Sequence, residues 1–403
     1  MVTVAIISEY NPFHLGHEYH IKKIREEFGE DTAIIAIMSG NYTQRGEVAI
    51  ADKFLRAKLS VLSGVNLALE LPFPYSMSSA EFFASAGVRI ADKLGCVDYL
   101  SFGSELGSTE QIVEMAKRMS TEEYKSRLDY NLRLEENAPL GYPSICERTY
   151  IELYHDAPTA MFSPNNILAF EYIKALTAQS SSIKPHTVMR KGTGYNGKKI
   201  SNNELPSAMA IRELLSKGDV SALDFVPNST KNELSKEIGK SLPTDPERLG
   251  GAIISSLRLN TPRLVDNIHD ATGGLYNRLH SASFDADSIQ SLTALSVTKK
   301  YTTARIKRAV WYSYIGVTSS DVRSYPEYTQ ALALDGVGRG LLKTIKKTGA
   351  ITVITKPSRT EGLSEAALKQ KELSDKADSI FHLTKPTFTS GKYSILSTPF
   401  VKK

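Results

Sequence analysis

Cysteine is scarce. Cys96 and Cys146 are the only two in 403 residues, and no paired spacing joins them. That argues against a disulfide framework and a cysteine-built zinc site, and it fits a reducing compartment. Tryptophan occurs once, as Trp311. No apolar run is long enough to span a bilayer, and the short apolar run at the N-terminus has no basic segment ahead of it. The expectation is therefore no membrane partner, no secretory signal and a cytoplasmic location. Neither sign of charge dominates, since 49 Lys and Arg stand against 44 Asp and Glu for a net +5. A mildly basic balance permits a nucleic-acid partner without requiring one. Internal repeats and low-complexity tails are missing too. What is present is a globular composition, 41% hydrophobic and 23% charged, on a length that calls for two or three domains.

The most informative stretch lies near the start. Val2, Val4, Ile6 and Ile7 form a short β-branched run that reads as a buried strand, and Asn11-Pro12 breaks it. His14-Leu15-Gly16-His17 then opens a helix in which Ile21 and Ile24 fall at inward spacing. A strand, a tight turn and a helix N-terminus make an anion site, because free backbone N–H groups and the helix dipole face one point. Gly16 lets backbone approach a ligand. Imidazoles at His14 and His17 share a face of the first turn, where they can hydrogen-bond phosphate oxygens as charge builds on them. A metal site or two ordinary surface histidines are the competing readings of the bare motif.

Further along, Thr32–Met38, Val65–Leu71, Val97–Phe102 and His186–Met189 read as strands alternating with helices. That is the pattern of a doubly wound parallel sheet, with ligands at the carboxyl ends of its strands. Arg45, Lys53 and Arg56 are candidates for a triphosphate or acceptor contact, with a solvated basic helix face as the alternative. Gly103 ends a strand and suits close packing against an adenine or ribose. Asn165-Asn166 precedes a helix body, where Asn either caps the helix or reads a nucleotide. Residues 108–155 alternate charge at helical spacing and suggest a helical insertion. Lys191 to Asn202 is rich in glycine and lysine, and a mobile loop is expected there.

Beyond Leu215 the periodicity of Leu249 to Leu259, Ile268 to Leu279 and Ile289 to Leu295 predicts a helical domain. Lys299, Lys300, Arg305 and Arg308, leading into Trp311, Tyr312 and Tyr314, suit RNA through phosphate pairing and base stacking, although a lone tryptophan such as Trp311 is more often a core residue. Glu361 to Ala377 reads as a helix, with strands at Ile351 to Ile354 and Ser379 to Leu383. Gly336, Gly338 and Gly340 lack both the preceding strand and the spacing of a dinucleotide motif. The expected division is a nucleotide-binding α/β domain over residues 1–215, a helical and RNA-binding domain over 216–330, and a small α/β unit over 331–403.

Glu9-Tyr10-Asn11-Pro12-Phe13-His14 continuing to Gly16-His17 resembles the signature of HIGH-type nucleotidyltransferases. Together with Met38-Ser39-Gly40, Gln44-Arg45-Gly46-Glu47, Glu70-Leu71-Pro72, Phe102-Gly103-Ser104-Glu105 and Pro164-Asn165-Asn166-Ile167-Leu168, it closely resembles the bacterial tRNA(Met) cytidine acetate ligases. The resemblance implies a doubly wound α/β fold, with His14 and His17 as catalytic residues. It also implies an ATP site over Ile7, Ser8, Glu9, Tyr10, Asn11, Pro12, Phe13, His14, Leu15, Gly16, His17, Glu18, Tyr19 and His20, completed by Gly103, Asn165 and Arg190. A related second motif is only partly kept: Ser207, Ile211 and Arg212 are present but the intervening hydroxyls are not. The implied reaction activates acetate with ATP, carried with Mg²⁺, and transfers acetyl to N4 of the wobble cytidine of elongator tRNA(Met). No metal site on the protein itself is expected. Two rival readings are an enzyme that adenylylates a small metabolite and a non-catalytic RNA-binding protein.

Overall fold

The computed structural model describes residues 1–137, 140–156, 158, 161–190, 206–262 and 267–403. The loop expected at Lys191 to Asn202 lies outside the described residues. The first strand, β1 (Thr3–Ser8), leads into α1 (Leu15–Phe28), then β2 (Ala33–Ser39), α2 (Lys53–Leu62) and β3 (Leu67–Leu71). After α3 (Ala80–Lys93) come β4 (Tyr99–Ser104), a helical run of α4 (Thr109–Met119), α5 (Glu122–Arg133), α6 (Tyr142–Tyr154) and α7 (Pro164–Ala178), and β5 (Lys184–Met189).

These five strands are parallel and stand in the order β3-β2-β1-β4-β5. Strand β1 is central and covered on both faces, which is why it reads as a continuous apolar run. Val4 and Ile6 pack with Ile21, Ile24, Ile34 and Met38 on one side. Ala5 and Ile7 pack with Ile35, Ile37, Phe83 and Val88 on the other. Because β2 lies on one side of β1 and β4 on the other, the chain reverses direction across the sheet at β1. The crevice beyond the carboxyl ends of β1 and β4 is the switch point where such sheets hold ligands.

Residues 331–403 do not form the separate α/β unit expected of them. Strand β6 (Tyr328–Leu334) pairs antiparallel with β3, and β7 (Thr352–Ile354) and β8 (Phe400–Val401) pair with β6, so all three extend the same sheet. Ser379 to Leu383 is helical instead of extended. It ends the helix Glu365–Phe381 and enters a short 3₁₀ turn. The helix expected from Ile268 forms only over Leu275–Ala282.

Helices between residues 250 and 315, among them α10 (Gly250–Leu259), α12 (Ile289–Ser296) and α13 (Thr303–Ile315), share one core with Tyr42, Phe73 and Met77 of the N-terminal half. Trp311 and Tyr312 are buried in that core. Among the described residues no helix is long and apolar enough to cross a membrane.

Candidate active site

The turn after β1 is fixed from behind by buried polar groups. Arg56 of α2 is fully buried and donates to the carbonyls of Ala51 (2.9 Å), Glu9 (2.6 Å), Ser39 (3.1 Å) and Gly40. Its guanidinium therefore clamps the ends of β1 and β2 together and is not a phosphate contact. Asn11 Oδ1 accepts the N–H of Ile50 at 2.8 Å, and the Glu9 carboxylate accepts the N–H of Gln44 at 3.0 Å. Desolvation holds the Glu9 carboxyl above the usual range, against the opposing pull of Arg212 and Arg45. Lys53, also expected at the ligand, is buried in an ion triad with Glu70 and Asp378, each 2.7 Å away.

His14 is the N-cap of α1. Its Nδ1 accepts the N–H of Gly16 at 3.0 Å, and Nδ1 of His17 accepts the N–H of His14 at 3.2 Å. This is a capping box built from two imidazoles in place of the usual hydroxyl and carboxamide. A backbone N–H only donates, so both Nδ1 atoms are unprotonated and each neutral ring carries its hydrogen on Nε2. The rings lie 3.9 Å apart, and both line the cavity at the switch point. The cap thus sets the tautomer and presents two N–H donors at the helix N-terminus. Burial, with Arg190 and Arg212 nearby, pushes the His14 imidazole down to about 3. Burial, then His14 and Arg190, holds His17 well below its ordinary value. Neutral donors need no proton from solvent to keep this role.

The opposite wall comes from β4, α7 and β5. Glu105, just past β4, accepts from Ser163 Oγ at 2.6 Å and Asn165 Nδ2 at 2.6 Å, and its Oε1 stands 3.8 Å from Nε of Arg190. Asn166, fully buried, takes Ser104 Oγ at 2.8 Å and the N–H of Glu105 at 3.1 Å, which locks that corner. A Cβ on Gly103 would meet Cγ of Arg190 at 3.1 Å, so the glycine leaves the space the arginine crosses. Ser207 caps α8 (Ala208–Ser216) by accepting the N–H of Ala210 at 3.3 Å. From the same helix, Arg212 donates to the carbonyl of Asn11 at 2.9 Å and to Glu47 at 3.2 Å. The reduced second motif therefore still reaches the site.

The cavity is about 510 Å³, within the range of small-ligand pockets. Of the expected residues, Ile7, Ser8, Glu9, Tyr10, Asn11, His14, His17, His20, Gly103, Asn165 and Arg190 line it. Pro12, Phe13, Leu15, Gly16, Glu18 and Tyr19 are not part of its wall. Phe13 instead packs beneath it, 4.9 Å from the Tyr10 ring. Sequence reasoning missed Glu105 as the hub of the far wall, although it stands two residues past Gly103. The apolar panel of Phe102, Leu168 and Tyr172 was also missed.

The four cations expected at RNA fare unevenly. Arg308 is 7% exposed and pairs with Asp270 at 2.5 Å. Arg305 donates to the carbonyl of Asp270 at 3.0 Å, and Lys300 to that of Gly273 at 3.1 Å. Lys299 and Lys300 are exposed. Positions 308, 311, 312 and 315 fall on one face of α13, so this Arg and these aromatics go into the core together. The reading of Arg308 as an RNA contact is therefore corrected, and Trp311 takes the core place expected of a lone tryptophan.

A family model described as HIGH Nucleotidyl Transferase matches residues 1–394. Similar proteins named tRNA(Met) cytidine acetate ligase include one from Acetivibrio thermocellus, 35% identical over 388 residues and 92% of each chain. Another, from Clostridium perfringens, is 34% identical over 403 residues and 96% of each chain. The crystal structure of Thermotoga maritima TmcAL bound with alpha-thio ATP superposes with a TM-score of 0.88 at 27% identity, covering all of both chains. Its apo form gives 0.90 at the same identity and coverage. With a match that runs through nearly the whole sequence, the chain belongs to the tRNA(Met) cytidine acetate ligase family of HIGH nucleotidyltransferases.

Proposed function

We propose that this protein binds ATP in the cavity at the end of β1, activates acetate as acetyl-AMP, and transfers the acetyl group to N4 of the wobble cytidine of elongator tRNA(Met). The observation that carries this reading is the pair of cap-fixed Nε2–H donors on His14 and His17 at a helix N-terminus beside the switch point.

Acetate is a poor acylating agent because oxide is a very poor leaving group. In the first step an acetate oxygen attacks the α-phosphorus. The bond to the bridging oxygen breaks, and pyrophosphate leaves. His14 and His17 donate to the oxygens on which charge grows, at an anion site where the helix dipole acts in the same sense. Arg45, Arg190 and Arg212 line the same cavity and balance the triphosphate charge. Carried in on the triphosphate, Mg²⁺ would neutralise charge on the leaving pyrophosphate. A metal here would be held by phosphate oxygens, since the carboxylates at the cavity are already engaged, Glu9 by Gln44 and Glu105 by Ser163 and Asn165. In the second step the exocyclic amine of cytidine attacks the acetyl carbon. AMP leaves with the electron pair, and one amine proton passes to solvent. Holding the reactants together can lower the barrier by roughly 7–11 kcal/mol at best, so no covalent enzyme intermediate is required. A tRNA substrate places the protein in the cytoplasm.

The test is incubation with ATP, labelled acetate and total tRNA. Label in tRNA as N4-acetylcytidine supports the ligase. Nucleotide transfer to a small metabolite, with none to tRNA, overturns it. His14→Ala and His17→Ala should each lower acetyl-AMP formation by about 10²–10³-fold. Neither should change affinity for tRNA, and wild-type turnover in both would remove these roles.

A further inference from the structure

Beyond the two capping histidines, α1 carries a third imidazole into the cavity, and a hydrogen-bonded chain leads from it to the surface. His20 Nε2 is 2.7 Å from Ser101 Oγ. Ser101 Oγ is 2.9 Å from Nδ1 of His186, and His186 Nε2 is 2.9 Å from Glu27 Oε2. Ser101 and His186 are buried, whereas the Glu27 side chain is 59% exposed.

The order of donors along this chain follows from its outer end. A carboxylate accepts and does not donate, so His186 carries its hydrogen on Nε2. In a neutral ring Nδ1 is then bare and takes the Ser101 O–H. The Ser101 oxygen in turn accepts from His20, which must carry its hydrogen on Nε2. His20 is therefore left with a bare Nδ1. That atom has no hydrogen-bond partner among the described residues, and the ring lines the cavity. His14 and His17 offer donors there, whereas His20 offers a lone pair.

A phosphate oxygen cannot satisfy a lone pair, so a nucleotide seated here would meet Nδ1 through a hydrogen-bond donor of its nucleoside. From His17 to His20 the helix rises about 4.5 Å. That is the reach of a ribose from its own α-phosphate, and it falls short of the adenine amine. Burial, with His186 and Arg190, holds His20 down to about 3, which fits an acceptor and not a general base.

We propose that His20 accepts a hydrogen bond from a ribose hydroxyl of ATP, and that Ser101, His186 and Glu27 are positioning residues that fix its tautomer from the surface. This rests on the reading of the cavity as an ATP site. The tautomer itself does not.

The experiment is ¹⁵N NMR of the histidine rings at pH 8, above the range in which an ordinary imidazole keeps its second proton, followed by binding of ATP, 2′-deoxy-ATP, 3′-deoxy-ATP and purine riboside triphosphate. In the wild type His20 should show a bare Nδ1. Glu27→Lys puts a donor at the outer end, so every link turns round and His20 should become an Nδ1–H ring. The Kd for ATP should then rise about 3- to 10-fold, the weight of one hydrogen bond. One deoxy analogue should lose the same factor on the wild type and nothing further on Glu27→Lys. In a Ser101→Ala background Glu27→Lys should change neither tautomer nor affinity, which a merely structural role of these residues would not produce. The proposal is overturned by an Nδ1–H ring in the wild type, by a His20 tautomer indifferent to Glu27→Lys, or by affinity loss confined to purine riboside triphosphate. Failure of the wild type to bind ATP at all would remove the nucleotide reading and the ribose contact together, while the tautomer order would still stand or fall on the NMR.

Discussion

A Cβ placed on Gly16 would stand 2.7 Å from Cε1 of His14. The glycine of the His-x-Gly-His turn therefore makes room for the enzyme's own imidazole, which lies back over the helix N-terminus to accept the Gly16 N–H. Alanine at this position would favour the helix and displace the ring. Gly16→Ala should leave the melting temperature unchanged or slightly raised. It should lower pyrophosphate release with ATP and acetate by about 10²-fold, comparable to losing one charge-stabilising donor. A calorimetric melt beside a pyrophosphate assay checks both halves.

Stability should fall as acid is added, in a window set by the buried imidazoles. His14 and His20 sit at about 3 when folded, against about 6.5 for an unperturbed histidine. The unfolded chain thus binds more protons than the native one between these values. Stability rises with pH there and is lost as pH falls from about 6.5 towards 3. Each such group would cost about 2 kcal/mol at pH 5. His14→Asn keeps an N-cap acceptor but cannot titrate. Its urea midpoint should therefore drop less than the wild type's between pH 7.5 and pH 5.

The first half of the fold was legible because its signals are local. Val4, Ile6 and their neighbours sit in a strand buried on both faces, and the turn that follows carries the chemistry within a few residues. The strand Tyr328–Leu334 was missed because, after Tyr328 and Thr329, its Ala- and Leu-rich sequence has weak strand propensity. Pairing with β3 makes it extended. Arg56 and Lys53 misled for a related reason. A basic residue near a phosphate site looks like a ligand, and no pattern along the chain reveals the carbonyls of Ser39 and Glu9, or the carboxylate of Asp378, that folding brings to it. The tautomers of His14 and His17 could not be read at all before their backbone partners were known.

Lys53 tests that correction directly. Its ammonium stands between Glu70 and Asp378, all three nearly inaccessible, and burial with Asp378 nearby raises Glu70 to about 7 despite the lysine. Lys53→Met leaves two buried carboxylates facing each other. It should destabilise the protein by about 3–5 kcal/mol at neutral pH, and by less in acid as the carboxyls take up protons. The KM for ATP should not move, since Lys53 is not in the cavity wall. A large rise in KM with unchanged stability would restore the lysine to the triphosphate.

The surface that meets tRNA can be separated from the core of α13 by its response to salt. Lys299 and Lys300 are exposed, whereas Arg308 is tied to Asp270 and buried beside Trp311. A phosphate contact reveals itself by counterion release, so its removal makes the plot of log affinity against log salt shallower by about 0.7 on single-stranded RNA. Lys299→Ala with Lys300→Ala should weaken tRNA binding and flatten that slope. Arg308→Ala should leave the slope unchanged and instead lower stability by about 2 kcal/mol, because Asp270 loses its close partner in a largely buried setting and is left with Arg305 at 3.9 Å. Filter binding of tRNA across a salt series, run beside urea melts of each variant, reads both quantities. A flattened slope with intact stability in Arg308→Ala would put that guanidinium back on the RNA.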